Sequence, residues 1–315
     1  MQKSLPLLLL LPCAASASQY PPATVDMALE QVSEHVYYVR GASGVATENE
    51  GFISNAAAVI TGEGVVIVDA LGSPSLAERF LGLVREVSDE PVVKVILTHY
   101  HADHIYGLQV FKDLGAEIIA PGGSNHYLDA SAATDRLEER RISLYPWVNE
   151  DTRLVPPDRM ITEDTALTIG GVTLSLGYLG AAHSDGDLTV LVDPDRVLIS
   201  GDIIFEGRIP FTGSADTRHW LTVLEGLERG GLSGLIPGHG PAASDPPEAV
   251  SATLHYLRYT REKMGGAVEE MVPFAEAYEE ADWSEFSHVP AFDATHRRNA
   301  YGIYLSLEQE ALQGE

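Results

Sequence analysis

Cysteine is almost missing from this 315-residue chain, and the one present, Cys13, lies near its start. That start reads as a leader: Met-Gln-Lys, an apolar run from Leu5 to Leu11 interrupted at Pro6, then Ala15-Ser16-Ala17. A basic beginning, a short hydrophobic stretch and a small-residue end make a secretory signal peptide. The run is far short of the ~20 apolar residues a membrane span needs, and Pro12 before Cys13 spoils a lipoprotein cleavage box. We therefore expect residues 1–17 to be removed and the protein to be exported, periplasmic or secreted. A mature chain without cysteine has no disulfide, no thiol nucleophile and no thiolate metal ligand. No later stretch is apolar enough to span a bilayer, so no membrane insertion is expected once the signal is gone.

Positive charge is scarce too. Lysine occurs only as Lys3, Lys94, Lys112 and Lys263, and 20 Lys+Arg face 46 Asp+Glu, a formal net charge of −26. Such a surface repels phosphate backbones and anionic lipid, which argues against a nucleic-acid partner and leaves a small molecule as the expected substrate. No G-x-G-x-x-G follows a strand, so nucleotide binding has no support. No G-x-S-x-G elbow appears, so neither has a serine triad. The composition itself is ordinary, 45% hydrophobic and 21% charged, and a chain of this length buries a sizeable core in one large domain or two modest ones. The oligomeric state is not legible.

Hydrophobic patterning gives strands over Ile53–Ile60 and Gly64–Val68, and a helix from Pro74, capped by Ser73. A buried strand follows over Val92–Leu97, then a helix over Gly107–Leu114 and a strand over Glu117–Ala120. Residues 124–145 read as a polar helical insertion. Leu167–Leu179 reads as a hairpin about Gly170-Gly171, and Leu188–Val192 with Arg196–Ser200 as another. A helix over Thr217–Leu227 is capped by Asp216, a strand runs over Leu232–Ile236, and residues 247–278 are helical. Hairpins interleaved with helices in both halves predict an α/β sandwich of two facing sheets with helices outside. We expect that domain over residues 18–245 and a helical C-terminal extension, residues 246–315, packed on it.

Thr98-His99-Tyr100-His101-Ala102-Asp103-His104 follows directly after the apolar strand. A loop leaving a strand end can aim three imidazoles and a carboxylate at one small volume, and those donors suit zinc, iron or manganese. Further donors sit at strand ends downstream: His183 in His-Ser-Asp-Gly-Asp, Asp202 in Ser-Gly-Asp, and His239 in Pro-Gly-His-Gly. The glycines let the backbone turn tightly beside a ligand.

This ordered set, with Asp69 after Gly-Val-Val-Ile-Val, resembles the metallo-β-lactamase superfamily from about Asn55 to Gly240. The resemblance implies an αβ/βα four-layer sandwich with metals at one edge. It also implies that His99, His101 and His183 hold one ion, that Asp103, His104 and His239 hold a second, and that Asp202 bridges them. Asp69 would orient a ligand histidine, and Asp103 would also aim the nucleophile. The enzyme expected is an exported zinc-dependent metallohydrolase with two Zn2+, or with iron or manganese. A hydroxide bridging the ions would cleave an ester, thioester, lactone or amide carbonyl. The stretch Gly201 to Pro210 is similar to the SoxH-like, quinoprotein-relay group of zinc metallohydrolases. One alternative is a persulfide oxidoreductase using a single iron. Another is a β-lactamase, against which the lack of a cysteine at position 202 weighs. A third is a binding or relay protein without turnover. Arg208 is a candidate for pairing with a substrate carboxylate, with a structural ion pair as its other reading. Tyr106 could donate to a leaving group or simply pack. Tyr145 and Trp147 are read as an apolar lid or as packing for the insertion. His126, His219, His255, His288 and His296 lack motif context and are read as structural.

Overall fold

The computed structural model describes residues 19–227 and 230–314. The expected signal peptide, with Cys13, lies outside them. Two sheets stand face to face. The first is built from β1 (Leu29–Gln31), β2 (Val36–Val39), β3 (Ala56–Ile60), β4 (Val65–Val68), β5 (Val92–Ile96), β6 (Glu117–Pro121) and β7 (Arg159–Ile161), adjacent in that order. Pairing is antiparallel from β1 to β4 and parallel from β4 to β7. The second sheet has the order β12-β11-β10-β9-β8. Its strands are β8 (Thr165–Ile169), β9 (Val172–Gly180), β10 (Asp187–Val192), β11 (Val197–Phe205) and β12 (Gly234–His239). Only its β11–β12 pair is parallel.

The period of two along a strand decides which layer each side chain enters. Val66 and Val68 of β4 join Ala57 and Val59 of β3 and Leu174, Leu176, Val190 and Ile199 of the other sheet in the core between the sheets. Val65 and Ile67 point the opposite way, into a core shared with α1 (Pro74–Val87) and α3 (Leu108–Asp113). A strand buried on both faces must be apolar at every position, which is why Val65–Val68 reads as a continuous run. Helix α1 begins where Ser73 Oγ accepts from Leu76 N and Pro74 takes the first turn. Such a cap stabilises by ~1 kcal/mol. Its Leu76, Phe80, Leu81 and Val84 recur at helical spacing and are all buried.

The outer layer of the second sheet is α6 (Thr217–Gly226) and α7 (Pro246–Glu269), whose Trp220, Leu224, Val250 and Leu257 pack on Leu198, Ile204 and Leu235. Helices α8 (Phe274–Glu280) and α9 (Phe292–Gln313) close a fourth cluster against the far end of α7, around Met264, Ala277, Ala300 and Ile303. The layers run helix, sheet, sheet, helix, the αβ/βα sandwich expected, with C-terminal helices added.

Three details differ from the sequence reading. The insertion is two helices, α4 (Ser124–Asp129) and α5 (Ser131–Ser143), parted at Ala130, whose backbone is extended. The long C-terminal helix stops at Glu269, because Met271 takes a left-handed φ of 56° and Pro273 cannot continue it. Strands β1, β2 and β7 escaped notice: β1 and β7 are three-residue edges with little apolar signal. No helix among the described residues is long and apolar enough to cross a membrane.

Candidate metal centre

The parallel strands deliver their C-terminal ends to one edge of the sandwich. The chain leaving β5 carries His99 and His101, and the one-turn α2 (Ala102–Ile105) carries Asp103 and His104. His183 lies between β9 and β10, Asp202 late in β11, and His239 at the end of β12. Main-chain hydrogen bonds lock the two sheets together here: Leu188 N donates to Thr98 O at 2.9 Å and Asn55 N to Gly238 O at 2.8 Å.

All seven expected donors converge. They fall into two groups whose candidate ligand atoms lie within 4.8 Å of one another: His99, His101, His183 and Asp202, and Asp103, His104 and His239. Asp202 stands between them. Its Oδ2 is 3.3 Å from His183 Nε2 and 3.3 Å from His239 Nε2, and its Oδ1 is 3.2 Å from His104 Nε2. Asp103 Oδ2 is 3.3 Å from His239 Nε2.

The outward nitrogens of three rings are already engaged. His104 Nδ1 donates to Asp69 Oδ2 at 2.9 Å, His239 Nδ1 to Ile53 O at 2.7 Å, and His99 Nδ1 meets Thr98 Oγ1 at 3.0 Å. The Thr98 hydroxyl gives its own hydrogen to Asp69 Oδ2 at 2.8 Å, so its lone pair is free to accept from His99. Asp69 therefore orients one imidazole of each group, His104 directly and His99 through Thr98. Its left-handed φ of 63° is a strained setting held by those bonds and by Thr98 N on Oδ1.

Engaging the outer nitrogens turns lone pairs inward. His99 Nε2, His104 Nε2 and Asp202 Oδ1 are buried, face the cluster and make no well-aligned hydrogen bond among the described residues. His183 Nε2 lies 3.0 Å from His101 Nδ1. At that distance one neutral ring can donate to the other, or both can turn a lone pair to a shared cation. A buried polar atom left unpaired is costly, so this donor set fits divalent metal.

Electrostatics divide the groups. Burial, reinforced by neighbouring imidazoles and outweighing Asp202, pushes His99 and His101 down and His183 down to about 3, which keeps these rings neutral. Burial alone would lower His104 and His239 as well. The carboxylates Asp202 and Asp69 carry His104 well above the usual imidazole value, and Asp202 with Asp103 raises His239. Burial would raise Asp202, yet His239, His104 and His99 hold it far below the ordinary carboxylate range.

Backbone clearance positions the downstream donors. A Cβ on Gly238 would stand 1.9 Å from Asp202 Oδ1. A Cβ on Gly201, whose φ is 53°, would meet Thr98 Cβ at 2.4 Å. His183 is held by a residue the sequence reading passed over. The Asp187 carboxylate accepts from Ala182 N at 3.1 Å and from Ser184 N and Oγ at 2.9 Å, and burial pushes its pKa up to about 7. Asn55 was missed too. Its amide donates to Pro237 O and Gly240 O on either side of His239. Asp187 could have been found as a second carboxylate beside a candidate histidine; nothing local marks Asn55.

Arg208 is at the site and not on the surface. Its Nη1 lies 3.5 Å from His239 Nδ1, a nitrogen already given to Ile53 O, and its Nε is buried without a partner. It forms no ion pair among the described residues. Tyr106 is buried, its hydroxyl has no hydrogen-bond partner, and it lines a small crevice with Asp103, Arg140 and Leu144. Trp147 donates to Pro22 O at 3.3 Å, while Tyr145 is exposed. His219 caps Leu179 O and His296 pairs with Tyr256, both away from the cluster.

Comparison with known proteins agrees with this geometry. The family model described as the metallo-beta-lactamase superfamily matches residues 49–257. The chain is 24% identical to a metallo-beta-lactamase type 2 of Bacillus cereus over 203 residues, 63% of this chain and 69% of that one. It is 27% identical to the acyl-coenzyme A thioesterase MBLAC2 of Gallus gallus over 190 residues, 55% of this chain and 68% of the other. Among solved structures, the inverting sec-alkylsulfatase Pisa1 from Pseudomonas sp. aligns over 89% of this chain and half of its own. Its TM-score is 0.64 at 18% identity, a likeness of fold.

Proposed function

Because this chain belongs to the metallo-beta-lactamase superfamily, whose relatives here are hydrolases, we propose that it is an exported, dinuclear, zinc-dependent hydrolase acting on a small ester, thioester, lactone or amide. The observation that carries the dinuclear reading is Asp202, whose two oxygens face histidines of both donor groups at 3.2–3.3 Å. His99, His101 and His183 would hold one ion, Asp103, His104 and His239 the other, and Asp202 both. When bound, two such ions supply an activated water near neutral pH and a Lewis acid for the carbonyl oxygen.

The chain's own groups do the rest. Asp103, the least buried carboxylate of the cluster, faces His239 and is placed to accept a hydrogen bond from an attacking water and aim it. Asp69 holds the outer nitrogens of His99 and His104 as donors, so that their inward nitrogens would be the ones offered to a bound ion. Arg208 presents an uncommitted guanidinium beside His239. In a chain of net charge −26, a partly buried arginine without a carboxylate partner suits a substrate that brings its own anion, and bidentate pairing with a carboxylate or sulfate would orient it. Export and membership of the SoxH-like, quinoprotein-relay group are part of the same proposal, supported by the leader pattern of residues 1–17 and by the stretch Gly201 to Pro210.

The test is metal analysis of the purified protein joined to a hydrolysis screen with a chromogenic β-lactam, a thioester, a lactone, an aryl ester and an alkyl sulfate. Two zinc ions per chain with turnover of a carbonyl ester supports the proposal. One iron with oxygen consumption on a persulfide would replace it by the oxidoreductase reading, and preferred turnover of the β-lactam or the sulfate would move the substrate class.

A further inference from the structure

The loop that carries Arg208 is held in place by the C-terminal extension. It leaves β11 at Phe205 and reaches α6 at Thr217. At its start Glu206 N donates to His239 O at 3.1 Å, and in its middle Ile209 N donates to Pro290 O at 2.9 Å. The stretch between Arg208 and Gly213 is then gripped by one side chain of α9. Asn299 Nδ2 donates to Pro210 O at 2.6 Å, and Asn299 Oδ1 accepts from Thr212 N at 3.1 Å. The same Nδ2 donates to Tyr256 Oη at 2.9 Å, and that hydroxyl pairs with His296 Nδ1 at 2.9 Å. Asn299 is buried, so three of its four hydrogen-bonding positions are used with no water to replace them.

Packing cannot do this work alone. Behind the loop lies a cavity of about 220 Å³, lined by Thr212, Gly213, Thr217, Gly302 and Ile303. Ile209 and Thr212 are buried and Ile209 N is tied to Pro290 O, and on the side of that cavity the amide of Asn299 adds bonds that packing does not supply. Arg208 lies two residues before one clamped group and four before the other, with its guanidinium against the metal-ligand cluster.

We propose that Asn299 is a positioning residue that sets Arg208 at the mouth of the metal site, so that the C-terminal helices govern the preference for anionic substrates. The inference rests on the reading of Arg208 as the anchor for a substrate anion, and goes beyond it by assigning the extension a part in specificity. Removing the amide lets the loop drift towards the cavity and carries the guanidinium away from the anion. It leaves the metal ligands where they are, Asp202 lying within β11 ahead of the loop and the others on separate elements.

The experiment uses the full-length, metal-loaded protein and two matched chromogenic esters, mono-4-nitrophenyl adipate and the neutral 4-nitrophenyl butyrate. Arg208→Ala is expected to lower the preference for the anionic ester, read as the ratio of the two kcat/KM values, by about tenfold or more. Asn299→Ala should lower the same preference to a similar extent with unchanged metal content, and the double variant should lose no more than Arg208→Ala alone. Amide exchange should quicken at Ile209 and Thr212 in Asn299→Ala. It should not do so in Tyr304→Phe, which removes a hydrogen bond to Val272 O elsewhere on the same helix. If Asn299→Ala fails to fold, Asn299→Asp keeps the acceptor for Thr212 N, loses the donor to Pro210 O, and is expected to show a smaller loss of the same kind.

An Asn299→Ala that slows both esters equally, or adds its full effect on top of Arg208→Ala, overturns the positioning role and leaves the anchor reading standing. An Arg208→Ala with undiminished preference overturns both. Turnover of neither ester by the unsubstituted enzyme defeats the ester-hydrolase reading instead, and the exchange measurement then decides the clamp on its own: unchanged protection at Ile209 and Thr212 overturns it.

Discussion

The two halves of the sandwich place their donors by different means. In the first half four donors lie within six residues, His99 to His104, and two of them are aimed from Asp69, His104 directly and His99 through Thr98. In the second half the donors lie on three separate elements: His183 is held through Asp187, His239 through Ile53 O and Asn55, and Asp202 by close backbone approach at Gly201 and Gly238. The first arrangement tolerates loss of a bond by degrees. Where the second relies on clearance, beside Asp202, it does not, because close-packed interiors cannot yield by an ångström without moving a neighbour. The two donor groups do not follow this divide, since each takes members from both halves. Either half alone would leave both groups incomplete.

The largest effect should come from the residue both groups share. Asp202→Ala is expected to lower the metal bound per chain and to cut kcat/KM by well over 100-fold, more than loss of a supporting partner. Elemental analysis and steady-state kinetics check it, and two ions with normal turnover would dissolve the shared-ligand reading. Gly238→Ala should come close behind although it removes no donor. The added methyl would lie 1.9 Å from Asp202 Oδ1, so the carboxylate must turn away and metal binding should fall with it. A Gly238→Ala protein with full metal content would show that the second half yields more than its clearances suggest.

Legibility in the sequence follows the same divide. The cluster His99 to His104 is visible because its donors are adjacent and follow an apolar strand, so local spacing carries the information. His183, Asp202 and His239 become legible only as an ordered set, through resemblance to a family. Asn55 and Asn299 were invisible: each acts on backbone groups far along the chain, Pro237 O and Gly240 O in one case and Pro210 O and Thr212 N in the other. An asparagine whose partners are main-chain atoms more than eighty residues away leaves no periodicity to read. Arg208 shows the opposite difficulty. Most arginines are solvated, and only the fold reveals that this one is turned inward without a carboxylate. The layers, by contrast, could be read because Val65–Val68 and Val92–Leu97 are apolar at almost every position, as strands covered on both faces must be.

Asp69→Asn tests the hydrogen-bonded half and should have an intermediate effect. An amide at this site turns an N–H towards His104 Nδ1 or Thr98, opposing a donor with a donor, and the tautomers of His104 and His99 are no longer fixed. Metal affinity is expected to fall by about 10–100-fold, the range for such supporting partners, with the loss recovered at high zinc concentration. Competition with a chromogenic chelator measures it. Unaltered affinity would mean that the strain and bonding at Asp69 serve the fold alone.

Asp187→Asn should have the smallest effect on turnover and is read through pH. Burial raises the Asp187 pKa to about 7 in the folded chain, against an ordinary value near 4 when unfolded. Below about pH 4 both states hold the proton and the residue favours neither. Between about 4 and 7 the unfolded chain releases its proton while the folded one retains it, so stability falls as pH rises, and the loss is complete above about 7. A shift of that size corresponds to a few kcal/mol. Asparagine keeps an acceptor for Ala182 N and Ser184 N but has no proton to lose, so Asp187→Asn should remove that slope. Melting temperatures of wild type and variant, both treated with chelator, should therefore diverge from pH 4 to pH 7 in the variant's favour and run parallel above. Curves parallel throughout would mean that Asp187 is ionised across the range, and that the hydrogen bonds from Ala182 and Ser184 outweigh its burial in holding His183.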